Sequence, residues 1–370
     1  MAEPIVIWGA GAIGGTLGAH WARAGHEVLL VDQVAAHVQA CRSTGLVIRG
    51  PVENFTQIIP AVTPAALKGR FRRIVLAVKA QATHEALTML APHLAEDGFV
   101  LSAQNGLNEI AIAEALGAHR TMGCFVNFGA DWHGPGEILY GNRSALVLGE
   151  IDGSIQPRTR EIFALAQIFE PDAVLTTDIW SYLWGKLAYG AMLFASALNH
   201  DSMTENFADP ARLPVWLALG REVVATALAR GVTPRGFGGF DPMAFAPGRT
   251  DGDGEAIIHW LRDYTAVGAK THSGVWRDLA VRKRQTEAEA QIAIIAPLAA
   301  EHGIATPAIH AMCRLIGEIE AGQREQSPQS FAALMAALWG PCGGLGHRQI
   351  ARHMEQAIAP LGAGGAAGLE

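Results

Sequence analysis

Short apolar runs rich in β-branched residues recur through the first half of the chain: IVIW at 5–8, EVLLVD at 27–32, RIVLAV at 73–78 and GFVLSAQ at 98–104. Between them, residues 14–24, 35–44 and 82–94 carry apolar side chains at helical spacing. This alternation predicts βαβ units and a parallel sheet. The segment 119–150, dense in glycine and aromatic residues, reads as antiparallel strands closing one edge of that sheet. Beyond Asp178 the texture changes to long Ala/Leu-rich patterns at 178–200, 210–231, 253–267, 276–302, 306–322 and 328–340, which predict a helical domain. A glycine- and proline-containing connection at 232–252 interrupts them, and a loop of that length inside a compact domain usually has a function or moves. The expected fold class is α/β, an N-terminal domain over 1–175 followed by an all-helical domain over 176–340. The glycine-rich remainder, 341–370, reads as a partly disordered tail.

The first strand runs directly into Gly9-Ala10-Gly11-Ala12-Ile13-Gly14, then a helix, then a second strand ending in Asp32. That order is the fingerprint of a Rossmann-type dinucleotide-binding domain. Gly9 permits a tight turn, Gly11 lets backbone approach a pyrophosphate, and Gly14 lets the helix pack close to the strand. The opening residues of the helix, Ala12 and Ile13, then offer free N–H groups and the positive end of the helix dipole to the phosphates. Asp32 stands where a carboxylate can accept hydrogen bonds from the adenosine ribose and repel a 2′-phosphate, which favours NAD over NADP. It can equally cap the helix that follows.

Composition narrows the partners. A formal net charge of -7, with 17% charged residues, supplies no basic field for nucleic acid and points to a small-molecule substrate. The four cysteines are scattered without a CxxC pair, and no HExxH occurs, so no metal site is expected and reduced thiols in a cytoplasmic protein are the simplest reading. The apolar stretch Leu187–Leu198 has 12 residues, too short for a membrane span of roughly 20.

Further motifs are AVKAQAT (77–83), AQNGL (103–107), WGKLAYGA (184–191), THSGVWRDLAVRKRQTE (271–287) and EHGIATPAIHAM (301–312). With GAGAIGG, in this order over residues 4–322, they resemble the ketopantoate reductases, or 2-dehydropantoate 2-reductases. The resemblance implies an NAD(P)-dependent oxidoreductase with Lys186 as the catalytic lysine that protonates the ketone oxygen. It implies further that Asn105 lies on the cofactor and substrate side, that Ser273 holds a substrate carboxylate, that Glu287 assists the catalytic hydrogen-bond network, and that Lys79 lies at the cofactor edge. The helical domain would also carry a homodimer contact. Two departures set this chain apart. Gly190 and Phe194 stand where the family places asparagines one and two turns beyond the lysine, and Asp32-Gln33 stand where it commonly has a basic residue for NADP. They point away from ketopantoate reduction with NADPH and toward a different 2-oxo/2-hydroxy acid or polyol acid, with NAD favoured over NADP; ketopantoate reduction itself and a non-catalytic dinucleotide-binding sensor are the alternatives.

Read without the resemblance, Lys186 is the only charged residue in its apolar helix, and burying an ammonium is costly unless it is paired or used. Gly190, one turn on, provides either close helix packing or an enlarged substrate pocket. Asn105-Gly106 also makes an ordinary tight turn. Ser273 is placed to cap a helix, and capping and carboxylate binding share one geometry. Asp278 and Arg282 have the spacing of a helix-surface ion pair, within a basic run that reads as a solvated face.

Overall fold

The structure is a computed structural model that describes residues 3–267 and 270–339; the tail expected over 341–370 lies outside the described residues. Two compact units are formed, Met1–Leu183 and a second from Trp184 onward.

The first unit is built on an eight-stranded sheet in the order β12-β11-β8-β7-β6-β1-β2-β5. These strands are β1 (Ile5–Trp8), β2 (Val28–Val31), β5 (Ala61–Val62), β6 (Phe71–Leu76), β7 (Leu94–Ser102), β8 (Thr121–Val126), β11 (Leu146–Glu150) and β12 (Val174–Leu175). All neighbours pair in parallel except β8 with β11. Helices α1 (Ala12–Arg23), α2 (Ala35–Ser43), α3 (Thr83–Leu90), α4 (Asn108–Leu116) and α5 (Pro157–Phe169) complete the βαβ units. The uninterrupted apolar run of β1 follows from cover on both faces. Ile5 and Ile7 share a core with Leu17 and Trp21 of α1 and Phe169 of α5, whereas Val6 and Trp8 share another with Leu87 and Leu90 of α3 and Ile112 of α4.

Residues 119–150 do not all close one edge. β8 and β11 join the large sheet, but the hairpin of β9 (Gly129–Gly134) and β10 (Glu137–Asn142) leaves it for a second sheet, ordered β4-β3-β10-β9 with β3 (Leu46–Arg49) and β4 (Phe55–Gln57). The hairpin is drawn away by apolar burial against α1: Ile138 and Tyr140 are fully buried, and a Cβ on Gly15 of α1 would stand 2.5 Å from Ile138 Cδ1. The strands at 46–62 escape periodicity because each has only 2 to 4 residues.

The unit boundary falls inside α6 (Ile179–Ala195), between Leu183 and Trp184. The second unit continues with α7 (Met203–Ala208), α8 (Leu213–Ala229), α9 (Asp251–Ala266), α10 (Gly274–Ala280), α11 (Ile295–Ala300), α12 (Pro307–Glu320) and α13 (Pro328–Trp339). Among the described residues its only strand-like pairing is one isolated bridge between Phe237 and Phe240, inside the long connection. The helix expected over 276–302 is broken. α10 ends at Ala280, Lys283 takes a φ of 49°, and a π-helical turn over Glu289–Ala293 precedes α11. The chain turns back on itself at the break: Asp278, 3% exposed, pairs with Arg282 at 3.1 Å and with Arg284 at 2.9 Å, and the Arg284 N–H donates to the Asp278 carbonyl at 3.0 Å. The basic run is thus partly committed to Asp278 rather than wholly a solvated face. No helix among the described residues is long and apolar enough to cross a membrane.

Among the buried carboxyls, two are strongly shifted by burial. Glu222 of α8 accepts the N–H groups of Ala308 and Ile309 at 2.7 and 2.9 Å, capping α12 from another helix, yet burial still pushes it up to about 8. Burial likewise pushes Glu109 of α4 up to about 8. An unfolded glutamate loses its proton near pH 4.3, so the unfolded state is progressively favoured as pH rises from there to about 8, and the loss levels off above. The melting temperature should therefore fall between pH 5 and about 8.5, and Glu109→Gln should shrink that fall in a pH series of thermal melts.

Candidate functional site

At the C-terminal edge of the large sheet, the loops after four adjacent parallel strands come together: Gly9 after β1, Asp32 after β2, Lys79 after β6 and Asn105 after β7. The chain moves outward from β1 to β2 and β5, then crosses to β6 on the other side of β1. The crevice at such a reversal is where open α/β sheets hold ligands.

The three glycines of the turn are needed for three different reasons. Gly9 has a φ of +97°, and a Cβ there would stand 2.8 Å from the Val78 nitrogen. A Cβ on Gly14 would stand 2.1 Å from the Gly9 carbonyl oxygen and 2.8 Å from Ile7 Cγ2, so helix and strand pack too closely for any side chain. Gly11 is the reverse case. Nothing lies within 4 Å of its Cβ position, which leaves backbone open to a ligand. Gly11 is also the N-cap of α1, and no side chain caps the helix. The bond from the Gly15 N–H to the Gly11 carbonyl, at 2.8 Å, is the first of the helix, and the preceding N–H groups are those a helix start leaves for an anion. These residues fit a dinucleotide pyrophosphate.

Asp32 does two things at once. One carboxylate oxygen accepts the Ala10 N–H at 3.0 Å and the other accepts the Val34 N–H, at the N-cap of α2, at 2.9 Å. Each oxygen retains a lone pair for a ribose hydroxyl, so capping and ribose binding are compatible.

Lys79 and Asn105 are exposed, on loops held together by side chains that motif reading passed over. Gln104 Nε2 donates to the Val78 carbonyl at 2.9 Å and to Thr83 Oγ1 at 2.8 Å. Thr83 in turn donates to Asn108 Oδ1 at 2.8 Å, and Asn108 Nδ2 donates to the Asn105 carbonyl at 2.7 Å. Gln104, Thr83 and Asn108 are all buried, so this chain of bonds ties the Lys79 loop to the Asn105 turn through a buried centre. The polar residues flanking Asn105-Gly106 were the available signal. Gly106, at φ 100°, makes the tight turn expected there.

Lys186, Gly190, Ser273 and Glu287 belong to the second unit. Lys186 and Gly190 are half-buried on one face of α6, with the buried Phe194 a further turn along. A Cβ at Gly190 would meet only Ile292 Cδ1, at 3.9 Å, an ordinary contact. Close packing therefore does not require this glycine; it leaves space beside the lysine. The neighbouring Gly185 is the one demanded by packing, because its Cβ would stand 2.0 Å from the Arg235 carbonyl oxygen. The long connection thus crosses α6 next to Lys186, and its Phe237 and Phe240 rings pack on Tyr189 at centroid distances of 6.0 and 5.6 Å. Ser273 is 1% exposed and its Oγ accepts the Trp276 N–H at 3.1 Å as the N-cap of α10. Glu287 is half-buried just before the π-helical turn that carries Ile292. Among the described residues no group of His, Cys, Asp and Glu could hold a metal ion.

The sequence pattern of the family described as "Ketopantoate reductase PanE/ApbA" matches residues 5–153, and that of "Ketopantoate reductase PanE/ApbA C terminal" matches residues 178–320. The chain belongs to the ketopantoate reductase family. Curated relatives include a 2-dehydropantoate 2-reductase of Mesorhizobium japonicum, 29% identical over 55% of this chain and 70% of its own. One of Streptococcus pyogenes serotype M3 is 24% identical over 85% of this chain and 96% of its own. Among solved structures, a PanE/ApbA family ketopantoate reductase from Ralstonia eutropha JMP134 superposes with a TM-score of 0.73 at 24% identity, covering 86% of this chain and 99% of that one. A D-mandelate dehydrogenase solved with NADH and anilino(oxo)acetate gives 0.72 at 19% identity, covering 86% and 98%. This family member is an NAD(P)-dependent oxidoreductase with a mixed α/β N-terminal domain and a helical C-terminal domain.

The glycine geometry separates folding from binding. Gly14→Ala should lower the melting temperature, since backbone and core must shift to admit the methyl group. Gly11→Ala should melt like the wild type but bind the dinucleotide roughly tenfold or more weakly in a fluorescence titration, because its methyl group occupies the ligand's space.

Proposed function

We propose that this family member moves a hydride between NAD and a small 2-oxo/2-hydroxy acid, with Lys186 as general acid in reduction and general base in oxidation. The observation that carries the reading is the Lys186 face of α6: a single half-buried ammonium in an apolar helix, with open space one turn away at Gly190.

The nicotinamide, when bound, supplies the hydride. The turn from Gly9 to Gly14, with Ala12 and Ile13 at the helix start, would hold the pyrophosphate, Asp32 the ribose, and Lys79 and Asn105 the crevice side of the cofactor. Reduction of a ketone builds negative charge on its oxygen; Lys186 stabilises that charge and then delivers a proton to it. Ser273 would donate its hydroxyl hydrogen to the substrate carboxylate while its lone pair caps α10. Glu287 would orient the substrate hydroxyl and the lysine.

Cofactor choice follows from charge. Asp32 brings a carboxylate to the ribose position, where a 2′-phosphate would be repelled, and no basic residue follows it in Gln33-Val34. The D-mandelate dehydrogenase relative, described with NADH, supports the same preference and a 2-hydroxy acid substrate. Substrate choice follows from Gly190 and Phe194, which present an apolar, roomy wall rather than asparagine donors. The second reading is ketopantoate reduction with NADPH, supported by the names of the curated relatives.

Titration with both cofactors and assay of a keto-acid panel separate the two readings. NADH should bind roughly tenfold or more tightly than NADPH, and Asp32→Asn should narrow the ratio. Lys186→Ala should reduce kcat about a hundredfold or more without weakening NADH binding; unchanged turnover would overturn the assignment. Gly190→Asn should fold normally and lower kcat/KM for 2-oxo acids with bulky apolar side chains more than for small ones.

A further inference from the structure

We propose that His37 is a positioning residue for the dinucleotide-binding turn, clamping the Ala10 carbonyl of that turn to the β9–β10 hairpin of the second sheet. The proposal rests on the dinucleotide reading above, and it concerns residues of the first unit alone.

His37 lies on α2 and is 1% exposed. Its Nε2 is 2.8 Å from the Ala10 carbonyl oxygen, which can only accept, so Nε2 carries the hydrogen and donates it. Its Nδ1 is 2.9 Å from the Gly136 nitrogen and 3.4 Å from Trp132 Nε1. Both of those groups can only donate, so Nδ1 presents its lone pair. The neighbours therefore select one neutral tautomer. The Cys41 thiol, 3.6 Å from Nε2, is pushed up to about 12 by burial and brings no charge to the ring.

The consequence for the turn follows from peptide planarity. The Ala10 carbonyl and the Gly11 N–H belong to one trans peptide unit and point in opposite directions. Holding the carbonyl against the buried His37 ring aims the Gly11 N–H away from that ring, and no atom stands within 4 Å of the Gly11 Cβ position in the same turn. The preceding peptide unit is held separately, through the Ala10 N–H on Asp32 at 3.0 Å. Two successive planes of the turn are thus set by side chains from α2 and from the end of β2. Anchoring matters because Ala10 lies between two glycines, whose backbone freedom would otherwise have to be lost when the ligand binds.

The other end of the clamp is built as closely. Gly136, in the turn between β9 and β10, has a φ of 77°, and a Cβ there would stand 2.7 Å from Ala40 Cβ of α2. Only glycine lets the hairpin reach the imidazole. The second sheet, which the fingerprint does not require, thereby gains a role: it supplies the donors that hold His37.

Three forms test the clamp: wild type, His37→Asn and His37→Gln. Asparagine reaches about as far as Nδ1 and keeps an acceptor for Gly136, but it falls short of the Ala10 carbonyl. Glutamine carries an amide N–H toward that carbonyl and an oxygen toward Gly136. NADH affinity is read by fluorescence titration, and the ligand-free protein by melting temperature and by hydrogen exchange of the peptide covering the turn. H37N should melt near the wild type, exchange faster in the turn, and bind NADH roughly fivefold or more weakly; H37Q should restore both to near wild type. Wild-type affinity and exchange in H37N would overturn the clamp. If H37N does not fold, H37Q decides, with near-wild-type affinity supporting the proposal and a roughly tenfold loss refuting it. A wild type that binds neither NADH nor NADPH would instead refute the dinucleotide reading, and turn exchange in the ligand-free variants would still judge the clamp.

Discussion

The arrangement of the first unit depends on how closely the turn after β1 approaches the loop after β6. A Cβ at Gly9 would stand 2.8 Å from the Val78 nitrogen, and one at Gly14 would stand 2.1 Å from the Gly9 carbonyl. Side chains are excluded on both sides of the turn, so α1 starts against the sheet and its uncapped N-terminus opens at the strand ends. Two other candidate cofactor groups in this unit adjoin that contact. Asp32 reaches the turn through the Ala10 N–H, and the Lys79 loop is the segment against which Gly9 packs.

Around this contact the protein adds directed polar bonds from side chains. His37 and Asp32 hold the turn, while Gln104, Thr83 and Asn108 tie the Lys79 loop to the Asn105 turn. Such bonds fix direction as well as distance, which apolar contacts do not, and direction is what a site for anions and polar ligands requires. In the helical unit, Lys186 is the one charged residue in the sequence of α6, bracketed by Gly185, which admits the Arg235 backbone, and by Gly190, which admits space. Two glycines five residues apart on one helix thus serve opposite ends.

Much of this was legible in the chain. The parallel strands around β1, the glycine turn and the acidic end of β2 declare themselves because each has a local signature: a short apolar run, a fixed glycine spacing, or a carboxylate at a strand end. The helical texture of the second unit is equally local. What escaped were features whose cause lies far away in sequence. The strands at 46–62 are too short to show a period, and the β9–β10 hairpin leaves the large sheet because Ile138 and Tyr140 find a burial site on α1. The single helix expected over 276–302 is broken where Arg284 folds back on Asp278 and Thr286 bonds to Glu320.

The sequence by itself determined the α/β class, the order of the two domains and the position of the glycine turn, since periodicity and glycine spacing act within a few residues. Tertiary structure alone decided whether each glycine is tight or open, and which side chains anchor the turn. Gly11 and Gly14 read identically as letters, yet one faces empty space and the other a carbonyl oxygen. His37 and Gly136 are 99 residues apart, and only the pairing of β10 with β3 beside α2 brings the imidazole and its donor together. Close approach and hydrogen-bond direction are properties of folded neighbours, and no local pattern encodes them.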